Sequence, residues 1–481
     1  MYKPAIVRRT LRWLSFGAGE QPTHEDIVRR RVVKLAWPAV VEGLLQTAIG
    51  LVDTFLVSRV SDAALAGVGT ALQLIFIMIV VMSAISVGAS VLVAQAIGAH
   101  DREGARSLTR QSLVLAMLAA VPLSVLGIVF AGPLINAFGV APDVAAIGTD
   151  YWRISAYGVV VMTLMFVVSA VLRGAGDTRT SMRATLLANV VNGVLAYLLI
   201  FGHLGLPELG PSGSAWAALA GRGVALAVML SVLLRTRTSI SIRGRAGWRP
   251  RLSTAKRMLG IGMPAAVEEL AFSIGFAVLT GIVAVLGTEA LAAQRIAFNA
   301  LSLAFLPGFG LSLAATALVG QSVGARDPEG GRLATHVSAQ YACAWMGAIT
   351  VLYLLFATSV MRLFSSDPSV VSIGADAMRV VALSQPLWGV MFVYAGALRG
   401  TGNSRFPLIV NSLWVWACVG LGAMAVTVFD RGLPAIWFIF ALTGPLPALI
   451  FRARLNRDAH LGSSVSRLDV LPERVVEETA A

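Results

Sequence analysis

Charge is scarce in this chain. Asp, Glu, Lys and Arg make up 13% of its 481 residues, about half of the ~25% usual in soluble domains. With 57% hydrophobic residues, such a chain cannot cover a water-facing surface. The same shortage excludes a disordered, fibrous or nucleic-acid-binding protein, each of which needs a polar majority. Only two cysteines are present, Cys343 and Cys418, both within apolar stretches, which leaves no disulfide framework and no Cys-rich metal site. The five histidines form no HExxH or other ligand cluster. No phosphate-binding GxxxxGK loop and no GxSxG elbow occur, so ATP drive and hydrolase chemistry have no carrier here. No metal and no organic cofactor is expected. Met1 to Lys34 is rich in Arg and has no apolar h-region, so no cleavable signal peptide is expected and the first span should drive insertion.

What the chain does have is long apolar runs. They fall at 36–58, 67–97, 111–131, 151–172, 183–202 and 213–234, and again at 258–285, 290–320, 335–357, 377–398, 407–429 and 432–452. At ~20 residues per crossing these are twelve spans, numbered 1 to 12 in chain order, of an all-α membrane protein. If both termini are cytoplasmic, the inner segments carry 31 Lys and Arg and the outer loops 6. Positive charge near span ends resists translocation, so the net charge of +13 reads as a topology signal for the cell inner membrane. Contact with anionic lipid is secondary.

The runs also repeat. PAVVEGL from Pro38 returns as PAAVEEL from Pro264, LVAQAIGAHDREGAR from Leu92 as LVGQSVGARDPEGGR from Leu318, and LRGAGDTR from Leu172 as LRGTGNSR from Leu398, always at an offset of 226. Two six-helix halves with a pseudo-twofold along the membrane normal follow, an architecture that holds substrate between its halves and rocks them. The expected organisation is a basic N-terminal segment (1–34), a first lobe (35–234), a solvated cytoplasmic linker (235–257) in which Trp248 could anchor at the interface, a second lobe (258–453) and a cytoplasmic tail (454–481).

Ionisable groups inside spans cost ~2.5–3.5 kcal/mol or more at mid-bilayer and tend to be functional. Within the spans the acids are Glu42 and Asp53 in span 1 and Glu268 and Glu269 in span 7. Glu42, Gln46, Ile49 and Asp53 are spaced +4, +7 and +11, which at ~100° per residue places them in a ~60° arc of one helix. Glu269, Ser273 and Thr280 share the +4 and +11 spacing. Across the repeat Glu42 matches Glu268, whereas Asp53 matches Leu279. Desolvation favours the neutral form of a carboxyl group, so Asp53 is the first candidate for an ion or proton site, with Glu42, Glu268 and Glu269 behind it. Asn189, Asn192 and Tyr197 in span 5 are candidate cavity residues with Gln46, or interhelical hydrogen-bonding groups. Met162, Met165, Phe166, Phe272, Phe276, Trp388 and Met391 read as packing or lipid-facing side chains, some of which could form an adaptable apolar wall. Pro307, Gly308 and Pro386 mark places where spans could bend.

These residues resemble the multidrug and toxic compound extrusion (MATE) transporters over roughly 31–455. The resemblance rests on the duplicated twelve-span plan, LVDTFLVSRV, AQAIGAHD, LRGAGDTR, GMPAAVEE and GQSVGARD. It implies export of amphipathic, often cationic compounds in exchange for H⁺ or Na⁺, by a protein expected to act as a monomer. The family's span 1 aspartate lands on Asp53, its span 7 glutamate on Glu268 and its span 5 asparagines on Asn189 and Asn192. Some members carry an acid where this chain has Leu195-Ala196-Tyr197. The sodium-coupled branch carries an aspartate in span 10, where this chain reads Ser384-Gln385-Pro386-Leu387-Trp388 with no acid through Arg399. These departures favour H⁺. Two alternatives remain at this stage: a flippase or exporter for a lipid-linked sugar or metabolite, and a membrane-embedded enzyme.

Overall fold

The computed structural model describes residues 23–235, 240–244 and 247–460. The first half comprises α1 (His24–Ser58), α2 (Asp62–Gly98), α3 (Arg102–Val129), the short α4 (Ala131–Asn136), α5 (Pro142–Tyr157), α6 (Val159–Gly174), α7 (Thr178–Phe201) and α8 (Pro211–Leu233). The second comprises α9 (Leu252–Ala284), α10 (Thr288–Gly324), α11 (Pro328–Arg362), α12 (Pro368–Ala382), α13 (Gln385–Gly400), α14 (Arg405–Thr427), α15 (Leu433–Thr443) and α16 (Pro445–His460). Among the described residues ten helices are long and apolar enough to cross a membrane, and twelve crossings result when α5 with α6 and α12 with α13 each count as one bent span. Large apolar side chains such as Leu51, Val125, Leu355 and Leu413 are more than half exposed. A water-soluble monomer avoids such a girdle; a lipid-facing one requires it.

The repeated motifs are turns. His100 (φ 59°) and Arg326 (φ 55°) adopt the left-handed conformation. The following Asp101 and Asp327 then cap α3 and α11, accepting from Gly104 N at 2.7 Å and Gly330 N at 2.8 Å. Side-chain oxygens at this position satisfy otherwise orphan N–H groups. In the other motif Gly176 (φ 88°) and Gly402 (φ 89°) take a conformation that disfavours any Cβ. Asp177 caps α7 through Thr180 N at 3.1 Å.

The bends also obey the repeat. The α5/α6 pair turns by 51° at Gly158 and the α12/α13 pair by 53° at Leu383–Ser384, and Gly158 and Ser384 lie 226 apart. Pro386 sits just after its bend, as the first turn of a helix tolerates. Pro307, by contrast, lies inside the uninterrupted α10.

The helices do not stop at the segment limits drawn from composition. His24 to Lys34 already belong to α1, nucleated by a capping box between Thr23 and Asp26. Val28 and Val32 of that stretch, with Leu35 and Ala36 just after it, bury against Leu311, Ala314, Leu318 and Val337 of the second half. At the other end α16 carries the chain helically past 454. The linker, expected to be a solvated connector, is docked: Ile240 and Ile242 are buried beside Leu113, Leu226 and Leu233. Gln111 of α3 donates to Gly247 O (2.6 Å) and Arg249 O (2.7 Å) and accepts from Arg251 N (2.9 Å). Trp248 is 39% exposed and donates to Gly244 O at 3.0 Å. Gln111→Ala removes the anchor of three backbone groups, so trypsin should cut after Arg251 several-fold faster than in the parent protein, as limited proteolysis in detergent would show.

The halves meet through α1 and α2 on one side and α9 and α10 on the other. Near the end of the bundle where α2 turns into α3, a Cβ on Gly98 would overlap Gln321 O, and one on Gly324 would overlap Gln95 O. The two glutamines then reach across: Gln95 donates to Gly400 O at 3.2 Å and Gln321 to Gly174 O at 2.9 Å. Each partner is the other's equivalent at offset 226, so this end is closed by a reciprocal pair of contacts.

Candidate functional site

Asp53 lies on α1 five residues before the helix end, about 16 Å along the axis from Glu42 at 1.5 Å per residue. It is half-buried, and Asn192 of α7, fully buried, donates its amide to Asp53 Oδ1 at 3.0 Å. Gly221 of α8 makes this approach possible, because a Cβ there would press on Ala188 O at 2.7 Å and on the Asn192 side chain at 3.2 Å. Ser214 and Arg222 of α8, the helix packed on α7, and the buried Tyr151 of α5 adjoin the same carboxylate. One carboxylate is thus held among an amide, two hydroxyls and a guanidinium inside the first half. Sequence reading found Asp53 and Asn192. It missed Tyr151 and Ser214, whose types are common in membrane helices, and did not connect Arg222 with Asp53.

The other candidates divide. Asn189 donates to Leu45 O at 2.6 Å, pinning α7 to α1 through a backbone carbonyl. Gln46 is exposed. Tyr197 is 49% exposed and stands 5.5 Å from the Phe201 ring and 5.0 Å from that of His203, at the far end of α7. Glu269 is exposed on α9.

Glu42 and Glu268 occupy equivalent ion pairs. Arg173 lies 3.2 Å from Glu42, to which Ser169 also donates at 2.9 Å. Arg399 lies 2.7 Å from Glu268, and Asn411 donates to the same oxygen at 2.6 Å. The arginines belong to the LRG motifs, so each motif supplies both the turn after a bent span and the counter-charge for the glutamate of its half. The offset of 226 relating 173 to 399 was the available signal. Both glutamates are almost completely buried, and removing one partner of a buried pair costs ~3–5 kcal/mol. Glu42→Gln should therefore lower thermal stability sharply, while Glu42→Gln with Arg173→Gln should recover much of the loss in a double-mutant cycle read by thermal unfolding in detergent.

A family profile described as MatE matches residues 38–198 and 264–442, one block in each half. The chain is 34% identical over 459 residues to the probable multidrug resistance protein NorM of Thermotoga maritima, covering 94% of this chain and 96% of that one. It is 29% identical to the multidrug resistance protein PmpM of Pseudomonas aeruginosa over 445 residues, 89% of this chain and 91% of the relative. A crystal structure described as MATE in the straight conformation superposes with a TM-score of 0.84 at 23% identity, covering 92% of this chain and 97% of that chain. A transporter described as an outward-facing multidrug resistance MATE of the MOP superfamily gives 0.82 at 24% identity, covering 91% and 99%. The duplicated twelve-span bundle, the two motif-borne ion pairs and these matches agree: the chain belongs to the MatE family of multi-pass membrane transporters.

Proposed function

We propose that this transporter is a secondary antiporter that exports amphipathic, often cationic compounds in exchange for H⁺, with Asp53 as the coupling carboxylate. It sits in the inner membrane as a monomer with both termini cytoplasmic. The observation that carries the reading is the enclosed Asp53–Asn192 contact at 3.0 Å in the first half, whose counterpart position in the second half is a leucine, Leu279. The lack of a further carboxylate favours a proton over a sodium ion: Leu195-Ala196-Tyr197 and Ser384 through Arg399 hold no acid to complete a multi-carboxylate cation site, and the guanidinium of Arg222 beside Asp53 opposes the loading of any cation there. The names of the NorM and PmpM relatives support a drug cargo. Glu42 and Glu268, each already neutralised by an arginine, hold the first span of their half to its bent span.

Asp53 lies close to the outer end of α1 in the orientation given by the charge bias, while the closed end lies at the cytoplasm. Protonation from outside removes the acceptor charge facing Asn192, reshapes the cavity and releases substrate outward; deprotonation after the halves rock restores affinity. Everted membrane vesicles with an imposed proton or sodium gradient test the ion. Efflux should collapse when the proton gradient alone is dissipated, and collapse only on removal of sodium would overturn the assignment.

A further inference from the structure

The second half contains a cavity of about 230 Å³ that the Asp53 site does not use. Phe305 and Phe309 of α10, Trp388 and Phe392 of α13 and Trp414 of α14 line it. The rings are organised: Phe305 stacks on Trp388 at 5.5 Å, Phe309 on Phe392 at 4.6 Å, and Trp414 meets Trp388 edge-on at 5.8 Å. Of the polar atoms on its lining residues, the buried Trp388 indole nitrogen has no hydrogen-bond partner among the described residues, and the other two are turned elsewhere. Ser302 donates to Asn299 O at 2.6 Å, and the Trp414 indole to Thr443 at 3.0 Å.

Packing alone does not account for the box. At offset 226 the counterparts of Phe305, Phe309, Trp388 and Trp414 are Ile79, Ser83, Met162 and Ala188, and only Phe392 keeps an aromatic, Phe166. The same helices pack in the first half without the rings, so the aromatics are an addition of the second half, as Asp53 is of the first. The cavity also borders the seam between the halves: Leu306, on its wall, lies against Gly43 of α1, and Phe309 is 48% exposed.

A charge stands at the same seam. Glu269 is exposed and adjoins Ser83 of α2. It precedes Phe272, another lining residue, by three positions, a spacing that makes side chains neighbours on one helix face. Glu268 is already paired: Arg399 and Asn411 both hold its Oε1, and its second oxygen is buried away from the seam's exposed surface. Ring faces carry negative potential and attract cations.

We propose that the cavity formed by Phe305, Phe309, Trp388, Phe392 and Trp414 takes the flat aromatic body of an exported cation, with Glu269 at the seam as its counter-charge. The two halves then divide the work: the first binds the coupling ion, the second the substrate. This rests on the export reading above and adds the location and the substrate class.

The test uses the full-length protein in lipid nanodiscs with two probes, ethidium (a planar aromatic cation) and tetrabutylammonium (a cation without rings). Phe305→Leu with Phe309→Leu keeps the apolar bulk and removes two ring faces, so ethidium should bind about tenfold more weakly while tetrabutylammonium changes less than about twofold. Glu269→Gln should weaken both. Because Phe309 is partly exposed, Phe309→Leu alone serves if the double variant fails to fold, and Trp388→Phe should retain most of the affinity that Trp388→Ala loses. Unchanged ethidium affinity in the ring variants, or loss on Met162→Ala in the first half instead, overturns the proposal. Continued export of tetrabutylammonium by those same proteins would leave the export reading standing, whereas a wild-type protein that exports neither cation defeats that reading and the proposal together.

Discussion

Asp53→Asn is expected to abolish gradient-driven export, by a factor of ten or more, while leaving a folded protein in the membrane. Asparagine has the size and shape of aspartate, and its carbonyl oxygen still accepts the Asn192 amide that lies 3.0 Å from Asp53 Oδ1. The half-buried position therefore keeps its packing and its hydrogen bond. What disappears is the capacity to alternate between charged and neutral, which is the only step by which a proton can be loaded and discharged there. The fold does not depend on that step, so thermal unfolding in detergent should shift by no more than a few degrees. Asp53→Glu retains the charge but displaces it by one methylene, and partial export is expected. Asn192→Ala should fall between the two, since it leaves a carboxylate without its amide donor and removes a group that Gly221 is shaped to admit. Export by Asp53→Asn at the parent rate in everted vesicles would show that coupling lies elsewhere.

The contrast between Asp53 and Glu42 shows what periodicity can and cannot resolve. Both fall on one polar stripe of α1, and the spacing that groups them is real, yet the stripe is about 16 Å long at 1.5 Å per residue and touches different helices along its length. At Glu42 the stripe meets Arg173 and Ser169; at Asp53 it meets Asn192. A helical wheel has no axial coordinate, so the partners that separate an occupied carboxylate from an available one were invisible. The architecture was far more legible. Span count, duplication and the turn motifs are local or periodic properties, and they reappear as twelve crossings, paired bends at Gly158 and Ser384, and caps at Asp101 and Asp327. The docked linker escaped notice because its anchor, Gln111, sits more than 130 residues away in α3. The aromatic box escaped for a different reason: Phe305, Trp388 and Trp414 come from three helices, and in an apolar sequence rings that line a cavity look the same as rings that fill a core.

Gly98→Val and Gly324→Val should each drive the closed end of the bundle open and cut export at least tenfold. At both positions a Cβ would overlap the carbonyl oxygen of the facing helix, Gln321 O and Gln95 O respectively. Backbone cannot swing aside as a side chain can, so relief requires α2 and α10 to separate. Separation breaks the hydrogen bonds from Gln95 to Gly400 O and from Gln321 to Gly174 O, which hold only when the helices touch. Overpacking typically costs ~1–3 kcal/mol, and each 1.4 kcal/mol shifts a two-state equilibrium about tenfold. Two conformations related by rocking halves differ by amounts of that order, so the closed state becomes the minor one and the cycle stalls. Alanine at either site should act in the same direction and less strongly. The readout is Val91→Cys, fully buried in α2 in the closed form, with Cys343 and Cys418 replaced by serine. A membrane-impermeant maleimide applied from the face on which this closed end lies should label it slowly in the parent and at least several-fold faster in either glycine variant. Because the two glycines lie in one contact, their effects should be similar in size and less than additive when combined. Equal labelling rates in parent and variants, with intact folding by thermal unfolding, would mean that this crossing does not hold that end of the bundle shut.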